Sequence, residues 1–448
     1  MRNTSYLPRV LQSAQFPEAP VRAIGLAACL LYAFFELSLP DTGKYAEAVL
    51  ILLTLVAMCR GERAPQLLAP LVMLGAAIAV SATAWLASFA SREYGFDPDS
   101  APRIDQVGKW FLFMVPAFWL GKNRSGPPLF WAAAVLGLVA LPWISGDGLK
   151  EFSQALDNRR IDAGTMNAQH AAMLSGLAFI LSICLIIQNH MQARWLIVSR
   201  LIGTLLFAGS LFLLYATQTR GVWLGCSAAA VAMLLAALAR SRVKPARNST
   251  GIGVATGMTV ALLIAGTLWT AANSNAVNRL EHEADTIGLA MAGEINKLPP
   301  DSVGVRLRSW YHALPWLEER FWFGWGPDGS KLIMQESDAL PSGLKSQFGH
   351  LHNSYLDIMA QFGFAGLLLY LVLLAWFARY LVRAYRDRRI PYGAYLFGIG
   401  FLTYWLVVNL FESYMLFSSG EYAFTVVLAG LISLARPEPK SVHGAPNA

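Results

Sequence analysis

The chain alternates long apolar runs with short polar joins. A run of about 20 apolar residues reads as a membrane-crossing helix, because a helix rises about 1.5 Å per residue and the hydrocarbon core is about 30 Å thick. Twelve runs can be marked, at about 23–40, 45–59, 66–90, 108–121, 127–145, 168–188, 195–217, 220–239, 250–272, 360–382, 391–411 and 419–435. The second and fourth are short, which suggests tilt or partial re-entry, and Pro116 predicts a kink in the fourth. The expected fold is all-α and polytopic. It divides into a nine-span region over 1–272, a large loop over 273–351, a three-span region over 352–436 and a tail over 437–448. Within the loop, Leu280, Ile287 and Met291 share one helical face, and Trp310, Leu314 and Leu317 share another. Trp310, Trp316, Trp322 and Trp325 suit a segment lying on a membrane surface.

Composition agrees with that pattern. Hydrophobic residues make up 55% of the 448 and charged residues only 14%, well below the roughly 25% charge of soluble domains. The net charge of +7 calls for no nucleic-acid partner, since membrane proteins collect Lys and Arg on their cytoplasmic joins. The four cysteines lie in or beside apolar runs without metal-ligand spacing, so no disulfide framework is expected. The first run follows about 20 polar-rich residues with no small-residue cleavage signature, and reads as a retained helix.

Basic residues orient the spans. With the N-terminus in the cytoplasm, the inside joins hold Arg60, Lys122, Arg194, Arg240 and the run from Arg379 to Arg389, while outside joins hold acids such as Glu93, Asp105, Asp147 and Glu151. Three outside segments break the rule by carrying arginine. They are Arg159 and Arg160, then Arg220 at the turn between the seventh and eighth spans, then Arg306 and Arg308 in the large loop.

These exceptions are where chemistry is expected. Arg220 starts a helix, where unpaired N–H groups and a guanidinium fork together suit a phosphate; lipid-headgroup anchoring is the plainer alternative. Arg306 and Arg308 point about 200° apart on a helix, so one could face a ligand and the other a carboxylate such as Asp301. His350 and His352 stand at the watery end of an apolar run, and an imidazole there titrates near neutral pH. If 352–366 is one helix, Gly363 and Gly366 lie about 20° and about 40° either side of His352. That makes a strip without side chains, open to another helix or a lipid chain; a capping histidine with packing glycines is the plainer alternative. Glu36 and Glu412 are costly placements for charge and require partners, such as an arginine. No metal constellation, nucleotide-binding loop or GxSxG elbow is visible, so no cofactor is expected.

Three blocks resemble the O-antigen ligase and polymerase superfamily of bacterial membrane glycosyltransferases. His352-Asn353, nine residues, Gly363, two residues and Gly366 are similar to the family's histidine motif at full spacing. Thr219-Arg220-Gly221 resembles its Arg-Gly at a helix start. Arg306 four residues before Trp310, followed by Gly324-Trp325-Gly326, resembles its loop block. The chain departs by offering a second histidine, His350, and a second arginine, Arg308.

The resemblance implies a GT-C-like membrane fold and an inverting, metal-independent transfer. Glycan would pass from undecaprenyl pyrophosphate to a sugar hydroxyl of the lipid A core, at the periplasmic face of a Gram-negative inner membrane. In that scheme His352 is the base, and Arg220 and Arg306 hold the pyrophosphate. Arg308, Arg159, Arg160, Asn353 and His350 would bind substrate, and Gly363 and Gly366 would line a groove for the lipid tail. Polymerases and protein O-oligosaccharyltransferases of the superfamily share the donor; a tail of about a dozen residues favours the ligase. A lipid or glycan transporter is the reading from another class. It predicts repeat symmetry and charge at mid-membrane, neither of which is evident.

Overall fold

The computed structural model describes residues 18–62, 64–89, 101–123, 125–188, 192–243, 274–337 and 348–435, with a few positions between 340 and 345. Every regular element among these residues is helical. In chain order they are α1 (Glu18–Phe35), α2 (Pro40–Cys59), α3 (Leu68–Phe89), α4 (Ile104–Lys109), α5 (Met114–Leu120), α6 (Gly126–Ile144), α7 (Leu149–Leu156), α8 (Ala168–Ile187), α9 (Ala193–Thr217) and α10 (Arg220–Val243). The large loop carries α11 (Ser274–Met291), α12 (Ser302–Glu319) and α13 (Gly329–Glu336), and the chain closes with α14 (Ser354–Arg386), α15 (Tyr392–Val408) and α16 (Ser418–Leu434).

Seven of the described helices are long and apolar enough to cross a membrane: α2, α3, α6, α8, α9, α10 and α14. Three more, within α1, α15 and α16, are apolar but only 17 residues long. The chain is therefore a multi-pass membrane protein. The expected span at 250–272 lies outside the described residues.

Two expectations change. The second run is not short: Pro40 opens α2 five residues before the apolar stretch, where its missing N–H costs no hydrogen bond. The fourth run is not one helix. It breaks over 110–113 into α4 and α5, ahead of Pro116 rather than at it. Pro116 then falls in the first turn of α5, where no intrahelical donor is required.

Two helices of equal apolarity meet different surroundings. In α8 78% of the span is buried by protein, but in α9 only 17% is, although their mean hydropathies are 2.3 and 2.0. Leu201, Leu205 and Ile197 on α9 point outward, as expected of a lipid-facing helix. The hub is α16, buried from Ser419 to Ser433, with α5, α6, α8 and α15 against it. Around it α10 lies along α15, α9 along α8, and α3 along α14. At one end of this bundle α1, α3, α6, α9 and α15 finish, and α2, α8, α10, α14 and α16 begin. The segment α11–α13 packs over that end through α12 and α13 on α14.

Candidate active site

The histidine loop is built by caps. Asn353 is the N-cap of α14, and its Oδ1 accepts from the N–H groups of Tyr355 and Leu356 at 3.0 and 3.3 Å. His352 therefore stands just before the helix. Its φ of 52° is in the left-handed region, which costs a non-glycine residue about 1–3 kcal/mol unless its surroundings hold it. Those surroundings are dense. Trp310 of α12 donates its indole N–H to Leu351 O at 2.8 Å, and Leu351 N–H donates to Asp357 Oδ1 at 2.9 Å. The Phe348 ring stands edge-on to His352, with centroids 4.7 Å apart.

What holds the imidazole is Glu412, in the turn after α15. Its Oε1 and Oε2 lie 3.2 and 3.3 Å from His352 Nδ1, and Oε1 also lies 3.2 Å from His350 Nε2. Ser413 N–H adds a bond to Oε1 at 3.0 Å, and Ser413 Oγ donates to Asp357 Oδ2. Ser354 Oγ closes the frame on Asn409 Oδ1 and Glu412 O. Burial pushes the Glu412 carboxyl up, but the hydrogen bonds from His350 and His352 outweigh it and hold the acid well below its ordinary range. For His350 burial opposes protonation, yet the bond to Glu412 and the charges of Asp357 and Glu412 outweigh it and raise its pKa. Glu412 thus occupies Nδ1 of His352, and Nε2 is the ring nitrogen that this contact does not engage.

Arg160 and Arg306 lie within range of the charge on this carboxylate. The Arg306 guanidinium, half buried on α12, is pulled down by burial first, opposed by Glu412 and Tyr414, and pulled down further by Arg220 and Arg160. Those influences place Arg160, Arg220, Arg306, Tyr414 and Glu412 in one electrostatic neighbourhood. Arg160 is braced by Thr217 O at 2.9 Å and Thr219 Oγ1 at 3.3 Å, across the α9–α10 corner. Arg220 opens α10 and is paired with Glu283 of α11. The glycine after it is there for packing: a Cβ on Gly221 would lie 2.9 Å from Cβ of Phe411, the neighbour of Glu412. The Arg-Gly pair therefore packs the start of α10 against the turn that carries Glu412.

Two other expected site residues make local hydrogen bonds. Arg308 donates to the carbonyls of Asn296 and Leu298, and Arg159 donates its backbone N–H to Gln154 O at 2.9 Å. The glycine strip does not exist as expected, because 352–366 is not one helix. Gly363 has φ 64° and ψ −166°, and the helical path breaks there. The chain around Trp322 fills that break. Phe364 and Ala365 N–H donate to Phe321 and Trp322 O at 2.7 and 3.1 Å, and Trp325 and Gly326 N–H donate to Ala360 and Gln361 O at 2.8 and 3.0 Å. A Cβ on Gly363 would lie 2.3 Å from the Trp322 carbonyl carbon. Gly363 therefore receives protein backbone, and Gly366 lies one turn on, against Phe362.

Sequence reasoning flagged Glu412 but offered it an arginine; its partners are the two histidines. It missed Asp357, Ser413, Ser354 and Tyr414, whose polar side chains sit buried at the membrane boundary. Their one sequence signal was that oddity of place. His350, His352 and Glu412 also offer three ligand atoms within 4.8 Å of one another, enough to hold a metal ion, a grouping hidden by the 60 residues between them.

Residues 205–371 match a protein-family model described as O-antigen ligase. The matched stretch runs from α9 to the middle of α14 and contains all three sequence blocks. No curated protein matches the chain.

Proposed function

We propose that this chain, whose residues 205–371 match the O-antigen ligase family model, is a ligase of that superfamily: a glycosyltransferase that moves a glycan from a polyprenyl pyrophosphate to a sugar hydroxyl of a lipid A core, on the periplasmic face of an inner membrane. The observation that carries the reading is Glu412 bonded to His352 Nδ1, with Arg160 and Arg306 within range of its charge. His352 Nε2 takes the acceptor hydroxyl proton. The acceptor oxygen bonds to the anomeric carbon of the donor sugar as that carbon's bond to the phosphate oxygen breaks. Attack from the face opposite the leaving group inverts the centre. The departing lipid pyrophosphate gains negative charge, which the guanidinium groups stabilise. Glu412 holds the imidazole in one tautomer and stabilises it once protonated. His350, with its raised pKa, is suited to charge stabilisation. Glu283 shields Arg220 at rest, so donor phosphate must displace it. A metal at the histidines would occupy the base, so the transfer is expected to run in a chelator.

The test is turnover of purified protein on a lipid-pyrophosphate glycan and lipid A–core. His352→Ala is expected to lose about 10²–10⁴ in rate while still binding donor, and His350→Ala much less. Arg220→Lys keeps charge but loses the paired fork, and is expected to lose most activity at normal expression. Normal turnover by His352→Ala, or a strict metal requirement, would overturn the mechanism. Transfer to a second lipid-linked glycan, with none to lipid A–core, would make the enzyme a polymerase.

A further inference from the structure

A polar cavity lies beside the histidine loop, and the proposed chemistry leaves it unused. It measures about 200 Å³ and sits where α1 turns into α2, under the starts of α8 and α16. Its polar lining is Glu36, Thr165, His170, Ser418 and Ser419, with the Phe417 ring as one wall. Two of these groups are buried and incompletely satisfied. His170 is 1% exposed, its Nδ1 bonded to Ser419 Oγ, and its Nε2 has no partner. Glu36 is 8% exposed and its Oε2 has no partner. Leaving such an atom unpaired costs about 1–3 kcal/mol, and the two residues that carry such atoms both line this cavity, although Glu36 Oε2 itself is turned to Gly43 of α2. The His170 ring is fixed edge-on between Tyr414 and Phe417, with centroids 5.4 and 5.1 Å away.

The lining decides the class of guest. None of its residues is a Lys or Arg, so it does not suit phosphate. Hydroxyls, an imidazole and a carboxyl pair with sugar hydroxyls, and an aromatic face covers the C–H side of a sugar ring. Burial, and then the charge of Glu47, push the Glu36 carboxyl up to about 8, so at neutral pH it both donates and accepts. Phe417 ties the cavity to the reacting centre, since its ring lies 5.1 Å from His170 and 5.4 Å from His350.

We infer that this cavity is a sugar-ring subsite, in which Glu36 and His170 bind the hydroxyls of one pyranose and place it beside His352 and Glu412. The assignment rests on the glycosyl-transfer reading for its purpose, but not for its existence. The ring belongs either to the acceptor or to the first sugar of the donor.

Two variants of the full-length protein test it. Glu36→Gln keeps the shape, and Ser418→Trp fills the cavity from its exposed rim without cutting into the core. Each is expected to raise KM for one sugar substrate about tenfold, the worth of about one lost hydrogen bond to the ring, with a smaller change in kcat. An effect on the acceptor KM alone assigns the ring to the acceptor, and on the donor KM alone to the donor. Saturation-transfer NMR from protein to free glucose, visible with the wild type, is expected to weaken in both variants. Unchanged KM values for both substrates with unchanged transfer to glucose would overturn the subsite. The NMR arm needs no turnover, so a protein that binds glucose through this cavity but transfers no glycan would sink the reaction and leave the subsite standing.

Discussion

Glu412 carries two opposed shifts at one point. Its own carboxyl is held below the ordinary 4.5, and His350 is held above the ordinary 6.5. An acid with a depressed folded pKa contributes stability above its unfolded pKa and loses it as pH falls through the folded value. A histidine with a raised folded pKa contributes fully below its unfolded pKa and loses it as pH rises through the folded value. The cluster's contribution is therefore greatest between 4.5 and 6.5 and declines on either side. Melting temperatures of solubilised wild type and Glu412→Gln, measured across that window and about two units beyond each end, should show the dependence flattened in the variant. Identical profiles would mean that the carboxylate is not what holds the histidines. At this scale the sequence was half legible. His352 and Arg220 stand out as polar residues at apolar boundaries, and their motif spacing is local. The partners of Glu412 lie 60 residues back along the chain, and no local pattern reports a contact of that length.

At the scale of elements, the histidine, arginine and Gly-Trp-Gly blocks are parts of one joint. Trp310 ties α12 to the histidine loop, Arg306 sits one turn earlier on the same helix, and the 321–326 chain plugs the break in α14 at Gly363. Gly324 is drawn in equally tightly, since a Cβ there would lie 2.7 Å from Gly363 N. The break was illegible because a glycine in an apolar run reads as a tolerated helix residue, and only the inserted backbone makes it a corner. Gly363→Ala must carry a Cβ at φ 64° and push it into Trp322. The expected cost is about 2–3 kcal/mol of stability, from left-handed strain plus overlap. Turnover should fall with it, because the joint positions the histidine loop. A variant as stable as wild type, by denaturant or thermal unfolding, would show that the 321–326 chain does not need this corner.

At the scale of the whole molecule, apolarity gave the spans but not their neighbours. Lipid and protein interior are alike to a leucine, so the buried α8 and the lipid-facing α9 read the same along the chain. The fourth run misled for a related reason: the 110–113 turn and the short helix α5 are buried in protein, and burial accepts an apolar run too short to span. Charge supplies what apolarity does not. Arg60, Lys122, Arg240 and the arginines after α14 gather at the end of the bundle opposite the histidine loop. The positive-inside rule predicts that this end faces the cytoplasm, and with it that α11–α13, the arginine cluster and the sugar-sized cavity lie outside. An outer site has no nucleoside triphosphate to draw on, which fits a donor that arrives already activated on a lipid. Exposed serines at the two ends test this directly. Ser302 opens α12 beside the site, and Ser125 precedes α6 at the other end. Cys59 is the exposed native cysteine and would be changed to serine first, while Cys29, Cys184 and Cys226 are buried. In intact spheroplasts a membrane-impermeant maleimide should label Ser302→Cys and not Ser125→Cys, and lysis should expose the second. Labelling in the reverse order would turn the bundle over and move the site to the cytoplasm, out of reach of a periplasmic acceptor.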